Sequence, residues 1–141
     1  MRIAILIAVV VAAVGCGAGA SAPASPTAPT GTQLTISYWP AGKAEGGQRT
    51  WSVRCAPAAG TLPKPGIACR KLGAMTNPFA PLQEDLMCTD IYGGPQVALI
   101  KGTFRGRAIS VLLQARNGCE IARFEKLKFL VPLYGGAGAS A

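Results

Sequence analysis

Histidine is absent from the chain. Without an imidazole there is no Ser-His or Cys-His pair to activate a nucleophile, no histidine general base and no imidazole ligand for a metal. Acidic residues are scarce too, six Asp and Glu against 14 Lys and Arg, for a formal net charge of +8. Of these six, Glu84 with Asp85 and Glu120 with Glu125 read as solvated charges or helix caps rather than as a general acid and base. The two shortages together argue against an enzyme. The basic residues of the folded part are spread from Lys43 to Lys128, with no stripe interleaved with aromatics and no recognisable motif, so nucleic-acid binding is not expected. No CxxC spacing is present, which weakens the case for zinc held by four thiolates; no metal and no cofactor is expected.

What is present is enough apolar material for one core: 50% of 141 residues are hydrophobic, a length suited to a single domain. The front carries an address. Arg2 precedes an apolar run from Ile3 to Val14 that is short for a membrane span and ends in small residues, as a secretory signal does. AVGC, Ala13 to Cys16, resembles a bacterial lipobox, although Ala13 stands where a larger aliphatic residue is usual. On this reading residues 1–15 are a lipoprotein-type signal peptide, and Cys16 is lipidated and holds the protein to the outer side of the cell membrane. The alternative is a cut further on, among Ala18 to Ala24, and free secretion. The tract SAPASPTAPTGT, Ser21 to Thr32, cannot bury a core, so residues 16–32 are expected to be a tether, 33–134 the folded domain and 135–141 a disordered tail.

Within the domain, LTISYW, Leu34 to Trp39, and TWSVRC, Thr50 to Cys55, alternate as half-buried strands do. Val97–Phe104 and Arg107–Ala115 flank Arg105-Gly106 as a hairpin, and Phe129 to Leu133 reads as a fifth strand. Two short helices are expected. Ile67, Cys69, Leu72 and Met75 share a face after Pro63 and Pro65, and Asn117 with Glu120 three residues on resembles a capping box. The class is α+β, with strands meandering antiparallel in a five-stranded sheet and two short helices between them. Five cysteines leave Cys16 apart and Cys55, Cys69, Cys88 and Cys119 for two disulfides, in any of three pairings.

RCAP at Arg54 to Pro57, the IAC ending at Cys69, EDLMC at Glu84 to Cys88, IYGGP at Ile91 to Pro95, the GTFRGR turn and NGCE at Asn117 to Glu120 occur in an order that resembles the Streptomyces subtilisin inhibitor family, over roughly Leu34 to Leu130. The resemblance implies a five-stranded antiparallel sheet with two helices, disulfides joining first to second and third to fourth cysteine, and often a homodimer. It also implies a reactive loop that a serine protease binds as if it were substrate, with Met87 as P4, Cys88 as P3, Thr89 as P2, Asp90 as P1, Ile91 as P1′ and Tyr92 as P2′. The scissile bond is then Asp90-Ile91. Family members usually carry an apolar or basic residue at P1. Asp90 therefore implies either a protease whose pocket selects acidic side chains or a cell-envelope binding lipoprotein that keeps the fold without inhibiting. Gly93-Gly94 reads as part of the loop or as a turn into the hairpin, and Tyr92 as a contact aromatic or a packed one.

Overall fold

The computed structural model describes residues 31–132. The expected signal peptide, the lipidated Cys16, nearly all of the tether and the tail lie outside the described residues, as do the last two residues of the expected domain.

Strand β1 (Thr32–Trp39) buries Leu34, Ile36 and Tyr38 and turns Gln33 and Thr35 outward, the period-2 alternation of a strand with one face on a core. It pairs antiparallel with β2 (Arg49–Cys55) on one side and β3 (Val97–Phe104) on the other, and β3 pairs with β4 (Arg107–Leu113). Arg105 and Gly106 join the last two with φ of 49° and 79°, the positive pair that a two-residue hairpin matched to strand twist requires. The registers Ile36↔Ile100 and Ile100↔Val111 put three branched side chains in one row on the inner face.

Two expectations are corrected here. The sheet has four strands, not five, and its order β2-β1-β3-β4 is not a simple meander. β3 cannot add beside β2 because the chain after β2 already runs along that edge. Arg54 and Ala59 exchange backbone hydrogen bonds at 2.8 and 2.9 Å, and Leu62 N–H donates to the Ser52 carbonyl at 2.9 Å. This closure takes up edge groups that would otherwise template another strand, and the next strand joins on the far side of β1. Of the expected fifth strand, Phe129 to Leu133, the described residues form no strand: a 3-10 turn over Lys128–Leu130 follows the second helix. Leu127 leaves the helical region, φ −107° and ψ 5°, but Lys128 returns to it, φ −55° and ψ −26°, and the Val131 N–H closes the turn on the Lys128 carbonyl at 2.9 Å. Leu130 and Val131 drop directly into the core.

Helices α1 (Pro65–Ala74) and α2 (Gly118–Leu127) cover the inner face. α1 starts at Pro65, whose missing N–H costs nothing in a first helical turn, and contributes Ala68 and Leu72 to the core. α2 contributes Phe124 and Leu127, both fully buried. Its cap forms as the spacing predicts: the Asn117 side chain accepts from the Glu120 N–H at 2.9 Å. The return bond lands one residue early, on Arg116, whose N–H donates to Glu120 Oε2 at 3.1 Å. Cys55–Cys69 fastens α1 to β2 and Cys88–Cys119 fastens the segment before β3 to α2.

Candidate reactive loop

Between α1 and β3 the chain runs from Met75 to Gln96 without helix or strand. A connection this long in a compact domain is usually functional, and its backbone polar groups must find partners other than a ladder. Some are met within the loop and by Arg105, which donates to the Thr76 carbonyl at 3.3 Å, and others come from α2 and the residues leading into it. Arg123 Nη2 donates to the carbonyls of Phe79 and Ala80 at 3.5 and 2.8 Å, and the Phe79 ring, buried edge-on against Phe104 at 5.2 Å, anchors the loop to the core. Cys119 holds Cys88 through the disulfide. The Gly118 N–H donates to the Thr89 carbonyl at 3.0 Å, and the Gly93 N–H donates to the Ala115 carbonyl at 2.7 Å.

Those last two bonds bracket Asp90, Ile91 and Tyr92. Among the described residues, the backbones of these three make no hydrogen bond to the rest of the protein. Their surroundings are solvent: Ile91 is 58% exposed and Tyr92 66%, and Met87, just ahead of the disulfide, is 96% exposed. Cys88, Thr89 and Asp90 are exposed as well. All six residues singled out by sequence therefore fall on one projecting span, and Tyr92 is not packed in the core.

Glycine makes the close approach to α2 possible. A Cβ on Gly118 would meet the Thr89 hydroxyl, so glycine here lets the loop lie against the helix start with that side chain in its present rotamer. Gly94 has φ of 118°, a conformation that L side chains rarely adopt, and the Gln96 side chain closes the exit by donating Nε2–H to the Gly93 carbonyl at 2.8 Å. The Gly-Gly pair thus serves both roles, Gly93 as an anchor of the loop and Gly94 as the turn toward the hairpin.

The helix start is itself braced. Arg116 and Glu120 form a two-pronged ion pair, Nη2 to Oε1 at 2.8 Å and Nε to Oε2 at 3.2 Å. Hydrogen bonding from Arg116 holds the Glu120 carboxyl below the usual carboxylate range, against the opposing effect of its partial burial. Burial pushes the Arg123 guanidinium down, and the Glu120 charge partly offsets this.

Sequence reasoning missed Gly118 as a support, Ala115 and Gly93 as a bonded pair, and Arg123. One signal was available: Cys119, Arg123 and Lys126 recur at helical spacing, so a disulfide through Cys119 places the other two toward the same loop. The acceptors were not legible, because any residue's backbone carbonyl can serve. Among the described residues no three metal-capable side chains gather at one place, and with four cysteines in disulfides no thiolate remains there for zinc. No helix of the described residues is long and apolar enough to cross a membrane.

In comparison with known proteins, a family model described as subtilisin inhibitor-like matches residues 28–117. No curated protein matches the chain.

Proposed function

The chain belongs to the subtilisin inhibitor-like family, whose members are protease inhibitors and not enzymes, and we propose that it blocks a serine protease through Met87–Tyr92, offering Asp90-Ile91 as the scissile bond. The observation that carries the reading is the bracket. Thr89 and Gly93 are tied to the α2 side while the backbone between them is exposed and unpaired. A protease binds an extended substrate by its backbone groups, so a span with those groups free and its flanks already fixed pays little ordering entropy on docking. If the bond is cut, the disulfide holds the Cys88 side and the Gly93–Ala115 hydrogen bond holds the other, which keeps the new ends close enough to reseal.

Asp90 then selects the protease. An apolar or carboxylate-bearing pocket would strip water from its charge or repel it, at several kcal/mol, and each ~1.4 kcal/mol is tenfold in affinity. A pocket with a cation removes that cost. Glu84 and Asp85 sit just upstream, and no Lys or Arg occurs between Lys71 and Lys101, so the loop presents acid on a chain of net charge +8. The target is therefore a serine protease that cleaves after acidic residues. Two disulfides suit an oxidising compartment outside the cytoplasm. Removal of residues 1–15, lipid on Cys16 and a tether through residue 32 would hold the inhibitor there, and mass spectrometry of the native N-terminus tests this.

The deciding experiment titrates the protein against a panel of subtilisin-like, trypsin-like and acid-selecting serine proteases, with Asp90→Met in parallel. Stoichiometric inhibition of an acid-selecting protease is expected, with Asp90→Met moving inhibition to the subtilisin-like enzyme. Inhibition of none by either form would overturn the reading.

A further inference from the structure

The loop touches α2 at two places and bows away between them. Its first hold is at Phe79 and Ala80, through Arg123, and its second is at Cys88 and Thr89. From Pro81 to Leu86 no hydrogen bond joins it to α2 among the described residues; the Leu86 N–H turns back to the Gln83 carbonyl at 3.3 Å instead. The arch leaves a cavity of about 550 Å³ against the helix, within the range of small-ligand sites, roughly 300–1,000 Å³.

The lining has two chemistries. Leu82, Leu86 and Met87 on the loop and Ala122 on α2 are apolar, with Leu86 45% and Met87 96% exposed. Among the described residues, the charged side chains at its wall are both cations, Arg123 and Lys126. Among the described residues neither has a carboxylate within 4.0 Å, whereas Arg116 and Lys128 on the same stretch of chain each have one. Arg123 is further short of partners. Its Nη2 reaches only carbonyls, and its Nε–H is sealed from solvent with no acceptor. A guanidinium charge left partly uncompensated beside an apolar wall favours an incoming anion that brings apolar surface with it.

We propose that this cavity binds an amphiphilic carboxylate, its acyl chain against Leu82, Leu86, Met87 and Ala122 and its head group at Arg123 and Lys126. The cavity shares Met87, Cys88 and Thr89 with the span proposed for the protease, but filling it needs no protease, so its test is separate from that of inhibition.

The test is calorimetric titration of the full chain with decanoate below its micelle concentration, beside decan-1-ol, which has the same tail without the charge. Decanoate is expected to saturate one site, and decan-1-ol to bind about tenfold more weakly or worse, the loss of one charge-assisted contact. Lys126→Gln should weaken decanoate by about three- to tenfold and leave decan-1-ol unchanged. Ala122→Phe, at an exposed position, fills the cavity with a ring and should abolish both. Absence of saturable decanoate binding, equal affinity for acid and alcohol, or binding that survives Ala122→Phe would each overturn the proposal, the last by locating the ligand on another apolar part of the chain. Should Ala122→Phe fail to fold, the alcohol comparison and Lys126→Gln still decide it.

Discussion

Cys55–Cys69 and Cys88–Cys119 span nearly equal Cα distances, 5.6 and 5.4 Å, yet they sit in opposite kinds of surroundings. The first lies against the core, joining α1 to a strand that is already hydrogen-bonded to β1 and to the Ala59–Leu62 edge. The second reaches an exposed cysteine in a segment with no ladder of its own. Where packing already determines the structure, a cross-link adds stability. Where it does not, a cross-link decides conformation, and this is the difference that matters for a loop proposed to engage a protease.

Breaking each bond in turn should separate the two roles. Cys88→Ser with Cys119→Ser should cost inhibition more than 100-fold, on the order of 3 kcal/mol of preorganisation, and turn the protein into a substrate. Incubation with the target protease followed by mass spectrometry should then find complete cleavage after Asp90. Cys55→Ser with Cys69→Ser should cost stability and spare inhibition. Closing a loop with a sequence separation of 14 is worth about 3 kcal/mol in the chain-entropy estimate, or about 10–25 °C in melting temperature for a domain this size, while inhibition measured well below the transition stays within about threefold. Equal losses of inhibition from both pairs would erase the contrast.

A smaller change sharpens the same comparison from the helix side. Gly118→Ala puts a methyl group where the Thr89 hydroxyl lies. Thr89 relieves the clash by rotating its side chain, a cost of about 0.5–1.5 kcal/mol, so inhibition should weaken by roughly two- to tenfold with the melting temperature nearly unchanged. Gly73→Ala, on α1 where an added Cβ meets nothing within 4 Å, is the matched control and should leave inhibition as it was.

The strands, the hairpin turn and the helix cap were largely legible in the sequence; the contacts that join and position them were less so. Alternation at Leu34, Ile36 and Tyr38, the Arg105-Gly106 turn and the Asn117 cap are local signals, each written within a few residues, and each produced the element it predicted. The Ala59–Leu62 closure has no alternation to announce it, and it is what displaced β3 across β1. The Phe129 to Leu133 segment has the apolar content of a strand, but its start is closed into a 3-10 turn at the end of α2, a dependence that composition does not carry. In the loop, sequence marked the projecting residues yet not what positions them, since Thr89, Gly93, Phe79 and Ala80 engage through backbone atoms. Arg116 with Glu120 was within reach of sequence, being an i,i+4 pair at a helix start.

That pair gives the contrast a pH dependence. Glu120 titrates below its ordinary value because Arg116 hydrogen-bonds its charged form. For a carboxylate with a depressed folded-state value, the unfolded chain binds the proton first, so the stabilisation is complete above the unfolded value, about 4.3, and is lost as pH falls through the lower folded one. Protonation would release Arg116 and the backbone bond at the start of α2, next to Gly118 and its hold on Thr89. The melting temperature of the native chain should therefore be flat from neutral pH to about 5 and fall below about 4, while Glu120→Gln should start lower and lose less of its stability on acidification. Amide exchange at Gly118 should quicken over the same acidic range, after correction for the intrinsic pH dependence of exchange, whereas amides of β1 in the core should not. Parallel loss at both places would mean that the helix start and the sheet unfold as one unit, and that the loop has no separate support to lose.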